Sequence, residues 1–419
     1  MERRISLSRA RTAMIAAQGL PPGDILVEAL ASAGFVRTLG GVDVYLAARA
    51  RVPGMSQADL DAAVAARDLQ VVPSVRGCIY LVPRRYVPLA LRVASRLSHQ
   101  RSEREQEKAG IRPGELDDVG RAVLSLLRDR GPQKPALLRR LLPKGTVRSL
   151  GSAGKKVGIS STLPPALRRL EFSGEIERVL ENRRLDSERY LWGIPKENPF
   201  EGADGPTRDL PEDPLDLFAR CAEIFFRGAG IGTRRDFAAW TGISQRDARA
   251  AMARCPLTEL EVEGQPQTFY GLEAELPIPD ERLRAAREAI AFLPFEDNLI
   301  ALHGGSALLV DEAHHDVPVP VWGRGRGTTV GDARHMSFRS LVAGGRIAGF
   351  WEYDPEEEDV VFACFEPPDR ATRERLEEEA AAVTAFLRDD LGHGRSFSLD
   401  TDEALAERAA AIRAMTVRV

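Results

Sequence analysis

Residues 115–195 read ELDDVGRAVLSLLRDRGPQKPALLRRLLPKGTVRSLGSAGKKVGISSTLPPALRRLEFSGEIERVLENRRLDSERYLWGIP, and the order of their apolar repeats decides the fold. Val119, Val123, Leu126 and Leu127 recur at helical spacing until Gly131-Pro132 stops the pattern. A second, shorter helix is predicted over 134–142. Ser160-Ser161-Thr162 opens a third, which carries Leu163, Leu167 and Leu170 on one face and closes at Gly174. Two short strands follow, 175–180 and 189–192, joined by the polar turn 181–188. Three helices and a hairpin in that order make a winged helix, with the second and third helices in helix-turn-helix relation.

The same order recurs on both sides. Downstream, 215–227 supplies a first helix. Thr233, with Asp236 three residues on, and Ser244, with Asp247 three residues on, cap the next two. Ala248 and Met252 then face the core, which leaves Gln245, Arg246 and Arg249 toward solvent or DNA. Strands at 259–263 and 267–270 close this copy around Gly264-Gln265-Pro266. Upstream, a looser copy has helices at 25–33 and 57–66 and strands at 70–73 and 77–82. Residues 1–18 read as a charged amphipathic helix. Beyond Pro277 the texture turns β-rich, with strands expected at 307–310, 338–342, 346–351 and 360–365, then helices at 369–391 and 402–415. The fold class is therefore α+β. Three tandem winged-helix units span 1–112, 113–198 and 213–277, with a linker at 199–212 and a C-terminal β-rich module with closing helices at 278–419.

Composition narrows the function. The 419 residues carry a formal net charge of −4, but residues 1–200 hold 34 Lys and Arg against 21 Asp and Glu, a balance of +13. Residues 201–419 hold 24 against 41, a balance of −17, with no lysine. A basic half joined to an acidic half fits one polyanion-facing surface. The acidic residues also fit plain solvation of exposed helices. Cys78, Cys221, Cys255 and Cys364 lie too far apart for a disulfide framework or a zinc site, which suits a reducing cytoplasm. No stretch reaches the ~18 apolar residues of a membrane span. The adjacent His314 and His315 lack the helical pairing of a metal site. Neither metal nor cofactor is expected, and the chain is expected to act as a monomer.

Several segments resemble one known family. These are VVPSVRGCIYLVPRRYVPLAL (71–91), GIGTRRDFAAWTGISQRDARAAM (230–252), AFLPFEDNLIAL (291–302) and GGRIAGFWEY (344–353). In this order they resemble blocks of the winged-helix-repeat DNA glycosylases of the AlkZ/YcaQ type. The resemblance implies three winged helices and a β-rich part gripping double-stranded DNA. It also implies hydrolysis of the N-glycosidic bond of bulky N7-alkylated or crosslinked purines. The family's signature, Gln-x-Gln or Gln-x-Asp, stands just before a Tyr-Leu-Ala-Leu-x-Ala-Arg-like stretch. Here that stretch is YLAARAR (45–51), and the residues before it are Leu39-Gly40-Gly41-Val42-Asp43-Val44. Asp43 holds the second signature position, with Gly41 in place of the Gln.

An N7-alkylated purine is already cationic and leaves readily, so its hydrolysis needs a positioned water and a stabilised sugar cation. Asp43 is the candidate for that water, with Tyr45 and Gln18 as neighbours. Each has a plainer reading: a surface turn residue, a packing aromatic and a helix C-cap before Gly19. Phosphate contacts are expected from Arg76, Lys155, Lys156, Arg168, Arg169, Arg183, Arg184, Arg234 and Arg235, at helix ends, turns and wings. The Gly/Arg run WGRGRG (322–327) is either a groove-entering loop or a connector. The competing functional class is a non-catalytic winged-helix DNA-binding protein, a damage sensor or transcriptional regulator.

Overall fold

The computed structural model describes residues 4–20, 23, 25–187, 189–201, 210–321 and 327–416. It is a mixed α+β structure that divides into two compact units.

The smaller unit comprises residues 69–184 and 189–217. It opens with an antiparallel hairpin, Leu69–Pro73 against Ile79–Pro83, with Val71 opposite Leu81. Arg76 (φ +55°) and Gly77 (φ +70°) make the turn in left-handed conformation. The long helix Val87–Lys108 follows. Helix Glu115–Arg130 carries Glu115, Asp117 and Asp118 in its first turn and Arg128 and Arg130 in its last, each sign at the end where the helix dipole favours it. Its Leu116, Val119, Val123 and Leu127 meet Leu163, Ala166, Leu167 and Leu170 of helix Leu163–Phe172 in one apolar core. Leu126 packs only at the margin of that core. The hairpin Glu177–Leu180 and Tyr190–Gly193 closes it through Trp192. Two helices, Pro135–Leu141 and Gly151–Lys156, lie between; the second is too short for apolar periodicity to reveal.

The larger unit contains the described parts of 1–68, 185–188 and 218–419. Its helices Arg234–Thr241 and Gln245–Met252 start where local chemistry predicts. Thr233 and Asp236 form a reciprocal capping box, and the Ser244 hydroxyl accepts from the Asp247 N–H. Ala248 and Met252 are buried while Gln245, Arg246 and Arg249 are exposed. A four-stranded antiparallel sheet runs in the order Asp359–Cys364, Arg346–Asp354, Arg339–Ala343, Ala291–Phe292. Helices Arg370–Ala385 and Asp402–Thr416 pack on it.

Two expectations are corrected here. Residues 307–310 form a turn, because the Ser306 carbonyl accepts from both the Leu309 and Val310 N–H groups (2.8 and 3.1 Å). The first helix, Leu7–Ala17, is enclosed rather than amphipathic, with Ala10 to Ala16 all buried. Its alanines allow close approach on several sides. Its one buried charge, Arg11, is met by Asp311 and by the Leu308 and Val310 carbonyls (2.6 and 2.7 Å). Most of the expected linker, 202–209, and residues 322–326 of the Gly/Arg run lie outside the described residues.

Candidate functional site

Asp43 is the first residue of helix Asp43–Arg49 and is only 7% exposed. Its Oδ1 accepts from Arg339 Nη2 at 3.0 Å, while among the described residues its buried Oδ2 has no partner. Asp43 borders a cavity of about 20 Å³ that Arg37, Arg51, Glu296, Asp297 and Asn298 also line. That volume admits one water. Among the described residues the buried Nε atoms of Arg37 and Arg51, two of the lining residues, likewise have no partner. Burial pushes the Asp43 carboxyl up to about 7, against the pull of Arg339 and with Glu352 and Asp400 adding to the rise. A carboxylate that titrates near neutrality, with one free oxygen at a water-sized cavity, is equipped to act as a general base.

Two buried arginines hold this arrangement. Arg339, at the start of a strand, reaches Glu352 (2.7 Å), the Gly394 carbonyl (2.6 Å) and the Ser396 hydroxyl (2.9 Å), and lies over the Trp351 ring at 5.0 Å. Arg408 meets Glu352 from the other side at 2.6 Å and binds Asp400. Arg51 makes a bidentate pair with Asp297, both bonds 2.9 Å, and also binds the Ala47 carbonyl. Glu296, paired with Arg37 and His335, sits at φ +54°, a left-handed conformation that costs a non-glycine residue energy.

The other two catalytic candidates do not join Asp43. Gln18 caps helix Leu7–Ala17 and is fully buried. Its amide donates to the Gly228 (2.5 Å) and Ala33 (3.3 Å) carbonyls and its Oε1 accepts from Arg51 at 2.6 Å. It therefore steadies Arg51, which lines the cavity, without lining it itself. The Tyr45 hydroxyl donates to Asp61 (2.6 Å) and accepts from the Leu185 N–H (2.8 Å), and burial raises its phenol well above the usual range. Arg339, Arg51 and Glu296 were not singled out from sequence. Asp297 and Arg51 do lie in two of the segments that carry the family resemblance, and their ion pair is what joins those segments.

Gly41 lies against another piece of main chain. A Cβ there would stand 2.3–2.4 Å from the backbone of Ser396 and Phe397. That strand of main chain is pinned in place: the Val42 N–H donates to the Arg395 carbonyl (2.9 Å) and the Ser398 N–H to the Leu39 carbonyl (3.0 Å). Residues 393–400 thus occupy the space a side chain at 41 would need.

The basic candidates divide between the units. Arg76, Lys155, Lys156, Arg168, Arg169, Arg183 and Arg184 belong to the smaller unit, Arg234 and Arg235 to the larger. Lys155 and Lys156 end the short helix Gly151–Lys156 and are exposed. Arg183, at φ +59°, is exposed in the turn between the last two strands, beside the half-buried Arg184. Arg169 bonds Asp117 (3.2 Å) and Gln106 (3.1 Å), and Arg234 bonds Gln245 at 3.3 Å. His314 faces Glu366 and stacks on Phe365, while His315 contacts the Ala307 carbonyl.

The AlkZ-like DNA glycosylase family matches the chain over residues 41–386. Among solved structures, the DNA glycosylase AlkZ of Streptomyces sahachiroi has a similar fold, with a TM-score of 0.67 at 17% identity. The likeness covers 95% of this chain and 99% of that one. No curated protein matches by sequence. Among the described residues, no helix is long and apolar enough to cross a membrane.

Proposed function

Because the chain belongs to the AlkZ-like DNA glycosylase family, we propose that it hydrolyses the N-glycosidic bond of bulky alkylated or crosslinked purines in duplex DNA, with Asp43 as the base. Asp43 carries this reading: it borders a cavity sized for one water, and among the described residues its buried Oδ2 has no partner. The damaged nucleotide is too large for the cavity and would stand at its mouth. As the C1′–N9 bond breaks, its electron pair passes to the purine and cancels the charge that alkylation placed there. The water oxygen bonds C1′ and its proton goes to Asp43 Oδ2, whose negative charge also favours the developing sugar cation. Arg339 is a positioning residue: it holds Oδ1 and so aims Oδ2.

In this reading, residues 1–112, 113–198 and 213–277 are three winged-helix units and 278–419 a β-rich module. Arg76, Lys155, Lys156, Arg168, Arg169, Arg183, Arg184, Arg234 and Arg235 contact phosphates. The test is abasic-site formation in duplexes carrying N7-methylguanine or a purine crosslink. Wild type is expected to produce abasic sites and Asp43→Asn to lose at least tenfold in rate. Equal rates in the two proteins remove Asp43 from the mechanism. The ion network of Asp43, Arg339, Glu352, Arg408 and Asp400 supports a second reading, in which Asp43 is structural and the protein binds damaged DNA without cleaving it. Tight lesion binding with no product from wild type selects that reading.

A further inference from the structure

The smaller unit holds a second and larger hollow, about 510 Å³, between helices Val87–Lys108 and Leu163–Phe172. We infer that this groove binds the phosphodiester backbone of a DNA strand, an inference that rests on the DNA-binding part of the proposed function and not on its chemistry.

The helix pattern creates the groove. Arg92, Ser95, His99, Ser102 and Gln106 recur at three- and four-residue spacing, so they share one face of the long helix. The opposite face, with Leu89, Leu91, Val93 and Ala94, is buried. The facing helix turns Leu163, Leu167 and Leu170 into the core and Arg168 and Arg169 toward the groove. Serines at 95, 98 and 102 are short, and that is what opens space where longer side chains would fill it.

The wall chemistry selects an anion. Three guanidinium groups, four hydroxyls and the Gln106 amide line the groove against one carboxylate, Glu103, which pairs with His99 at 3.3 Å. Arg169 is steadied by Gln106 and by Asp117. Among the described residues neither Arg92 nor Arg168 has a carboxylate partner, and Arg92 lies over the Phe200 ring at 5.3 Å. Positive groups gathered in a concave, hydroxyl-lined surface raise the local potential for a polyanion. Multiple hydrogen-bond donors in fixed positions suit phosphate oxygens. A merely solvated arginine face needs neither the hollow nor the row of serines.

The experiment is duplex binding by the full chain, read by fluorescence anisotropy across a salt series. Arg92→Ala and Arg168→Ala are each expected to lower the slope of log affinity against log salt by about one, and the double variant by about two. Ser98→Leu fills the groove without altering charge and is expected to weaken binding at least fivefold at fixed salt. Arg370→Ala, at the exposed start of helix Arg370–Ala385 in the larger unit and outside the groove, serves as a control for general charge loss. Circular dichroism spectra confirm folding of each variant. Wild-type slope and affinity in the double variant and in Ser98→Leu overturn the groove. If abasic sites still form in that case, the glycosylase reading survives alone. If wild type makes none yet its binding depends on Arg92 and Arg168, the groove stands and the chemistry falls.

Discussion

Replacing Arg339 with methionine isolates the Asp43 chemistry from the architecture around it. Arg339 is wholly buried and gives Asp43 a charge-assisted hydrogen bond 3.0 Å long. The same substitution does not strand Glu352, which keeps Arg408 at 2.6 Å. A hydrogen bond to a charged group contributes about 1.5–3 kcal/mol, equivalent to roughly one to two pH units of titration. The carboxyl already titrates at about 7 because burial opposes its charge, and Arg339 works against that rise. Since the base must be ionised, the wild-type rate falls as pH drops through 7, approaching tenfold per unit below it. In Arg339→Met the midpoint moves upward by about one to two units, and Arg339→Lys moves it less. The assay is single-turnover abasic-site formation on an N7-methylguanine duplex between pH 5.5 and 9, with folding checked at each pH. A wild-type rate that is flat from pH 5.5 to 8 refutes the assignment of Asp43 as base. An unmoved midpoint in Arg339→Met refutes the role given to the arginine.

Three further outcomes follow from the same geometry. A raised folded-state value means that the native state loses stability as pH climbs from 3.8 to about 7, by roughly 4 kcal/mol in total. Asp43→Asn removes that loss, so its melting temperature relative to wild type should be higher at pH 8 than at pH 5; a constant difference contradicts the buried titration. Gly41→Gln drives a side chain into the Ser396 and Phe397 backbone and should cost about 1–3 kcal/mol. Hydrogen exchange at the Val42 and Ser398 N–H groups should accelerate in that variant. Arg51→Met leaves Asp297 buried without its bidentate partner and should destabilise the larger unit by about 3–5 kcal/mol, a loss that thermal unfolding followed by near-ultraviolet circular dichroism can register.

Local chemistry was legible from the chain alone. The caps at Thr233 and Ser244 involve partners three residues away, and the core face of Leu163, Leu167 and Leu170 follows one helical period. Long-range pairing was not. Arg339 and Asp43 are 296 positions apart and Arg51 and Asp297 are 246 apart, distances over which periodicity carries no information. The first helix read as charged and amphipathic, yet its Arg11 finds Asp311 300 positions downstream. Asp43 was found by its place beside YLAARAR, but its burial and its free oxygen could come only from the elements packed around it. The smaller unit's groove was half visible, since Arg168 and Arg169 stood out while the serine row on the neighbouring helix did not.

The stretch 393–400 gives the chemistry of residue 43 a distant author. The carboxylate is one residue, but its ceiling is a separate piece of chain, held through the Arg395 carbonyl, the Ser396 hydroxyl and the carboxylate of Asp400. Sequence drift in that ceiling can retune how dry the carboxylate is, and so at what acidity it works, while residues 39–51 stay unchanged. Under the proposed mechanism, two chains with identical Gly-Val-Asp segments would therefore differ in pH optimum because of residues some 350 positions away.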